Sequence, residues 1–198
     1  MAVPTRGALL LRQPLDASSL VLASERAATE ITLATDPRRC LGQVTEAVSR
    51  DASSFTMGVL LADDVGELRV AAASSRSLPA LVCVDVACGQ GPAEAAFRSG
   101  TPASCPDLAR SERTEFAAIA GAAGFASAYG LPLPADGVAL GALLLLADHP
   151  HSVGGEELRA LRSLTDAIAT AIDRAAAHRP RALERASTEL SGKVLDPS

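Results

Sequence analysis

Residues 89–108 read Gly-Gln-Gly-Pro-Ala-Glu-Ala-Ala-Phe-Arg-Ser-Gly-Thr-Pro-Ala-Ser-Cys-Pro-Asp-Leu. This run constrains the fold more than any other part of the chain. Gly89 and Gly91 predict a tight turn, and Pro92 suits the first turn of a helix because its missing N–H has no partner there in any case. Gly100 stops that helix in the left-handed conformation that only glycine adopts freely. Ala103 to Pro106 is then a brief strand, which Pro106 ends or places at a sheet edge. The run therefore reads as a turn, a short helix and a brief strand in close succession.

The flanks agree. Asp36-Pro37 is a helix start, with Cys40, Leu41, Val44, Ala47 and Val48 at helical spacing behind it. Asp16-Ala17-Ser18-Ser19 is read as the cap of an earlier helix. Thr56–Ala62 and Glu67–Ser74 are apolar runs joined by Asp63-Asp64-Val65-Gly66, a hairpin signature. Leu81–Ala87 alternates like a third strand. Ser111 is the expected cap of a helix through Phe116, Ile119 and Ala120 that Gly124 ends. Phe125–Leu133 and Val138–Ala147 read as the last strands, with Asp136-Gly137 turning between them. Ser152 is expected to open a final helix with an apolar stripe of Leu158, Leu161, Leu164, Ile168 and Ile172, which Pro180 should end or kink. The pattern predicts an α+β fold, a central antiparallel sheet flanked by helices. The expected division is a loose tail over 1–16, one domain over 17–178 and a weakly structured tail over 179–198.

Charge and length exclude some functions. The formal net charge is −5, from 18 basic and 23 acidic residues, which argues against a surface built to coat nucleic acid. Arg174, Arg179, Arg181 and Arg185 gather near the C-terminus, but Glu184, Glu189 and Asp196 dilute them. The longest apolar run, Val138–Ala147, is too short to cross a bilayer. A soluble, cytoplasmic protein with no membrane or direct nucleic-acid partner is expected. Cys40, Cys83, Cys88 and Cys105 form no CxxC pair and have no zinc spacing to each other or to a histidine. They read as free thiols, and no metal site is expected.

The run 89–108, with Tyr129-Gly130-Leu131-Pro132-Leu133 and Gly137-Val138-Ala139-Leu140-Gly141-Ala142-Leu143 downstream, resembles a GAF domain. The resemblance is strongest to the type carried by actinobacterial regulators with an RNA-binding ANTAR domain, and covers roughly residues 20 to 178. It implies a GAF/PAS-like fold and a sensory module whose flanking helices pair across a two-fold axis into a homodimer. Too few residues follow His178 for the ANTAR part, so a stand-alone or truncated sensor that signals through a protein partner is implied. The resemblance also places a small-molecule pocket under the middle helices and loops. Its distinctive side chains here are Cys83, Cys88, Phe97, Cys105, Asp107, Phe116, Phe125 and Tyr129. The same aromatics would serve equally as core.

Departures narrow what the pocket takes. Ala93 stands where related regulators commonly carry cysteine, and Glu112-Arg113-Thr114 stands where they often carry Arg-Trp-Pro. The cyclic-nucleotide motif of phosphodiesterase-type GAF domains and the Cys-His pair that attaches a bilin are both missing. His149 is a weak haem ligand candidate, in a turn beside Pro150. The residues nominate no cofactor. The glycine turn before the helix suits an anion but lacks the lysine of a phosphate loop. Three readings stay open. The first is a non-enzymatic sensor. The second is a thiol-dependent reductase of free methionine sulfoxide, which another GAF-fold family is, with cysteines in this pocket. The third is a ligand-free interaction scaffold.

Overall fold

A computed structural model describes residues 13–75, 91–111, 114–135 and 139–192. Two helices come first, α1 (Gln13–Leu33) and α2 (Pro37–Asp51), followed by strands β1 (Phe55–Ala62) and β2 (Leu68–Ala73). Then come α3 (Pro92–Ser99), β3 (Ala103–Cys105), α4 (Glu115–Ala122), β4 (Ser127–Leu133), β5 (Gly141–Ala147) and α5 (Gly155–Gly192). The five strands form one sheet in the order β2-β1-β5-β4-β3, and every neighbouring pair is antiparallel. The α+β expectation is met.

The local signals act as expected in several places. Asp36 caps α2, its side chain accepting from the Arg39 amide at 3.3 Å. Gly100, at φ +66°, closes α3 with its N–H donated to Ala96 O. In the β1–β2 turn, Asp63 Oδ1 accepts the amides of Val65 and Glu67 at 3.1 and 2.9 Å, and Oδ2 accepts from Arg69 at 3.2 Å. Those donors, the Glu67 amide foremost, hold the Asp63 carboxyl below the usual range. A carboxyl lowered by folding adds stability in full above its unfolded value, about 3.9 for Asp. That stability is lost as pH falls through the lowered value. Protection of the Val65 and Glu67 amides, their exchange relative to the free chain at the same pH, is therefore expected to fall on acidification below about pH 4, and Asp63→Asn should abolish this change in protection.

Other boundaries differ from the sequence reading. α1 starts at Gln13, before the expected cap at Asp16, because Pro14 is tolerated in a first turn. The segment 13–16 is thus helix and not tail. Thr114, not Ser111, caps α4, accepting the Ala117 amide at 3.1 Å, whereas the Ser111 hydroxyl donates to Leu108 O. Gly154, not Ser152, opens α5: its carbonyl accepts the Glu157 amide at 3.1 Å. α5 also runs past Pro180 to Gly192, where a tail was expected. Proline there removes one helical bond, but good helix formers stand on both sides, Ala175–Ala177 and Ala182–Arg185. The expected strand 81–87 and the turn at Asp136-Gly137 lie outside the described residues.

Period-two alternation sends the strands' side chains to two cores. Phe55, Met57, Val59, Leu131, Leu143 and Leu145 face α1, α2 and α5, where Leu20, Ile31, Val44, Leu161, Leu164 and Ile168 meet them. Leu60, Ala128, Ala142, Leu144 and Leu146 face the other way, beneath α3 and α4, with Ala93, Phe116, Ala120 and Phe125. The stripe on α5 is therefore used within the chain: Leu161, Leu164 and Ile168 are fully buried. Among the described residues, Ser24 Oγ is buried beside the first core with no hydrogen-bond partner. An unsatisfied buried hydroxyl opposes folding, so Ser24→Ala is expected to raise stability by roughly 1 kcal/mol in a denaturant melt.

A small cavity between α3, β3 and α4

Sequence accounts for the placement of α3 directly on the sheet. Gly130 of β4 has no side chain on the face that α3 covers, and a Cβ built there would lie 2.0 Å from Pro92 O. The helix backbone consequently rests on the strand backbone. Gly91, the N-cap, likewise gives room to the Phe116 ring, which would lie 2.7 Å from a Cβ at that position. Pro92, Ala93 and Ala96 are buried by this arrangement, and so is Glu94, which pairs with Arg98 one turn on.

Between α3, β3 and α4 lies a cavity of about 250 Å³. Gly91, Pro92 and Ala95 form one wall, Ala103, Ser104 and Cys105 the second, and Leu108, Ser111, Thr114, Phe116 and Ala117 the third. The wall is mainly apolar. Its polar groups are hydroxyls and one thiol, and no charged side chain lines it among the described residues. Two of the hydroxyls already have local roles, Ser111 with Leu108 O and Thr114 with the Ala117 amide.

The structure brings together four of the eight side chains predicted for the site. Cys105 and Phe116 line the cavity, and Phe97 and Phe125 pack in the layer around it. Asp107 serves the following turn, its Oδ1 accepting the Ala109 amide at 3.1 Å. Tyr129 goes to the opposite face of the sheet, where its hydroxyl accepts the Val153 amide at 2.8 Å. The reason is parity: Ala128 and Gly130 face the cavity side, so Tyr129 and Leu131 between and beyond them cannot. Cys83 and Cys88 lie outside the described residues. The wall residues the sequence reading missed, Ala95, Ala103, Ser104, Leu108, Thr114 and Ala117, are mostly small and carry no chemical signature. The one available signal was position, on either side of the Gly91 and Gly100 punctuation.

The two described thiols differ. Cys105 is half-buried in the cavity wall, while Cys40 is buried in α2. Burial first, then the carboxylates of Glu30 and Asp36, push the Cys40 thiol up, away from the reactive thiolate. Native-state alkylation at neutral pH is expected to leave Cys40 unmodified long after Cys105 has reacted, as peptide mass mapping would show. Among the described residues no three His, Cys, Asp or Glu side chains are close enough to hold a metal ion, and no helix is long and apolar enough to cross a membrane.

A five-stranded antiparallel sheet packed by long helices on one face, with a short-helix cavity on the other, defines a class of small α+β domain. Residues 34–173 match the GAF domain family model, and the chain belongs to the GAF domain family. Solved structures agree in fold. The GAF domain of a phosphoenolpyruvate-protein phosphotransferase from Coxiella burnetii is 19% identical, with a TM-score of 0.64 over 83% of this chain and 98% of that one. Free methionine-R-sulfoxide reductase from Neisseria meningitidis, solved with its substrate, is 18% identical, with a TM-score of 0.62 over 79% and 90%. A domain of a protein named as a two-component sensor histidine kinase from Sinorhizobium meliloti is 19% identical, with a TM-score of 0.62 over 75% and 98%. At these identities the likeness is one of fold. No curated protein matches the chain.

Proposed function

We propose that the chain is a non-enzymatic sensory module that takes a small molecule into the cavity between α3, β3 and α4 and signals to a partner protein through its terminal helices. The observation that carries this is the wall itself, apolar with a few hydroxyls and no described charge. Such a lining suits a compact, uncharged ligand. At about 250 Å³ the space is below that of ordinary drug-sized pockets, roughly 300–1,000 Å³. A thermal-shift screen of small neutral and charged metabolites tests the reading. Stabilisation by neutral compounds alone supports it, and stabilisation by nucleotides or amino acids alone refutes it.

One observation favours the reductase reading, namely that Cys105 lies in the cavity wall. The engagement of Ser111 and Thr114 in local bonds and the lack of a described base beside the thiol weigh toward binding. Thiol-dependent turnover of free methionine sulfoxide by the purified chain would replace sensor with enzyme.

The homodimer belongs to the same proposal, with its contact on the outer face of α1. The α5 stripe is occupied within the chain, while Leu22 and Leu33 of α1 are 56% and 77% exposed. They stand eleven residues apart, three helical turns on one face. Light scattering is expected to give a dimer mass for the wild type and a monomer mass for Leu33→Asp. A monomer for both removes the dimer.

A further inference from the structure

We propose that the segment 148–154, between β5 and α5, is the link that reports the state of the cavity to α5, with His151 as its positioning residue. This rests on the reading of the cavity as the binding site. β3 supplies Ala103, Ser104 and Cys105 to the cavity wall, and it is a strand of three residues that among the described residues pairs with β4 alone. So short a strand has few ladder bonds to resist displacement, and an occupant pressing on the wall moves it readily.

The residue after β3 holds the linking segment. Pro106 O accepts the His151 amide at 3.1 Å. The His151 ring then turns to the helix: Nε2–H donates to Glu157 Oε1 at 3.0 Å, with the two side chains only 18% and 10% exposed. The other Glu157 oxygen accepts the Gly154 amide at 3.4 Å. One carboxylate thus fastens both the linking segment and the first turn of α5. From cavity wall to helix the path is one peptide unit, one backbone hydrogen bond, one imidazole and one carboxylate.

The segment is pinned on both sides of His151 by groups that do not line the cavity. The Asp148 amide donates to Ser54 O at 3.2 Å, and the Ser127 hydroxyl donates to His149 O at 2.9 Å. Beyond His151, the Val153 amide donates to the Tyr129 hydroxyl at 2.8 Å. A shift of Pro106 is therefore taken up at His151 and not spread along the segment. The Phe55 and His149 rings, with centroids 5.2 and 5.5 Å from that of His151, hold the imidazole in place. The element with two arrangements is the His151–Glu157 bond, made or broken, and both the cavity and α5 bias it.

The test uses the full chain with Cys40→Ala, Cys83→Ala and Cys88→Ala, so that N-ethylmaleimide reacts only at Cys105 and fills the cavity. Hydrogen exchange of the peptide covering 154–161 is the readout. Labelling is expected to change exchange there by about fivefold or more, the low end of ordinary coupling between sites. In His151→Ala the same label should leave that peptide unchanged. His151→Gln, whose amide N–H can still donate to Glu157, should restore part of the response. An equal response in the parent and His151→Ala, or none in the parent, overturns the proposal. If the labelled chain does not stay folded, the coupling is read in reverse on the unmodified chain. Glu157→Gln should then shift the amide resonances of Ser104 and Cys105 more than those of Arg69 and Val70 on the far edge of the sheet, and unmoved β3 resonances overturn the link. Because the label fills the cavity whatever the natural ligand is, failure of this link and failure of the small-molecule reading are separate outcomes.

Discussion

Gly130→Ala is expected to lower stability by about 3 kcal/mol, the upper end of ordinary overpacking costs. The added methyl would meet Pro92 O at 2.0 Å, Pro92 C at 2.3 Å and Ala93 N at 2.6 Å. All three are backbone atoms of the α3 N-terminus, so no side chain can rotate away to make room. α3 must lift off β4, which opens the burial of Ala93 and Ala96 and reshapes the cavity wall at Gly91 and Pro92. For a chain of this size the loss corresponds to a fall in Tm of about 6–12 °C. The control is Gly42→Ala, on the exposed side of α2 with nothing within 4 Å of the new Cβ. Helix propensity alone should raise stability there by about 0.5–1 kcal/mol. Urea unfolding of the two variants is expected to move in opposite directions. Equal midpoints would mean that α3 does not rest on Gly130.

The second large effect is at Leu164, which has no exposed surface and sits in the core between α5, α1 and the sheet. An aspartate there would have to be buried without a partner, at a cost of several kcal/mol. Against an ordinary domain stability of about 5–15 kcal/mol, Leu164→Asp is expected to give an unfolded or insoluble chain. Leu164→Ala removes the same contacts without the charge and should stay folded at a loss of about 2–5 kcal/mol. Leu33→Asp, at an exposed position on α1, should retain native circular dichroism. A folded, soluble Leu164→Asp chain would show that α5 does not pack on the sheet through this stripe.

Much of the fold was legible because it is written in residues with strong local rules. Asp36-Pro37 starts α2, Pro92 and Gly100 bracket α3, and Asp63 to Gly66 turns the β1–β2 hairpin, each through a backbone preference that needs no tertiary help. Helix starts were less legible where several capping residues compete. Ser111 and Thr114 are both good caps, and the choice fell to Thr114, whose hydroxyl reaches the Ala117 amide. At α5 the Glu157 carboxylate reaches back to the Gly154 amide, so the start did not need a serine side chain. The site was half legible. Phe97, Cys105, Phe116 and Phe125 converge because large or sulfur-bearing side chains announce themselves. The alanines and serines of the wall do not, since their role comes from the space they leave. Tyr129 was assigned to the cavity because of its residue type. The alternation of Ala128, Tyr129, Gly130 and Leu131 already carried the opposite answer, for small residues mark the face on which a helix rests.

Native mass spectrometry tests most directly whether the cavity between α3, β3 and α4 holds a small molecule, as proposed above. The protein purified without added ligand should be compared with Ala95→Leu, which adds a helix-compatible side chain to the cavity wall at an exposed position of α3. The wild type is expected to carry, or to bind from a neutral-metabolite mixture, one compound per chain, and Ala95→Leu to lose it while keeping its fold. A wild type that stays bare in every mixture, or an Ala95→Leu chain that retains the same adduct, would contradict the proposal.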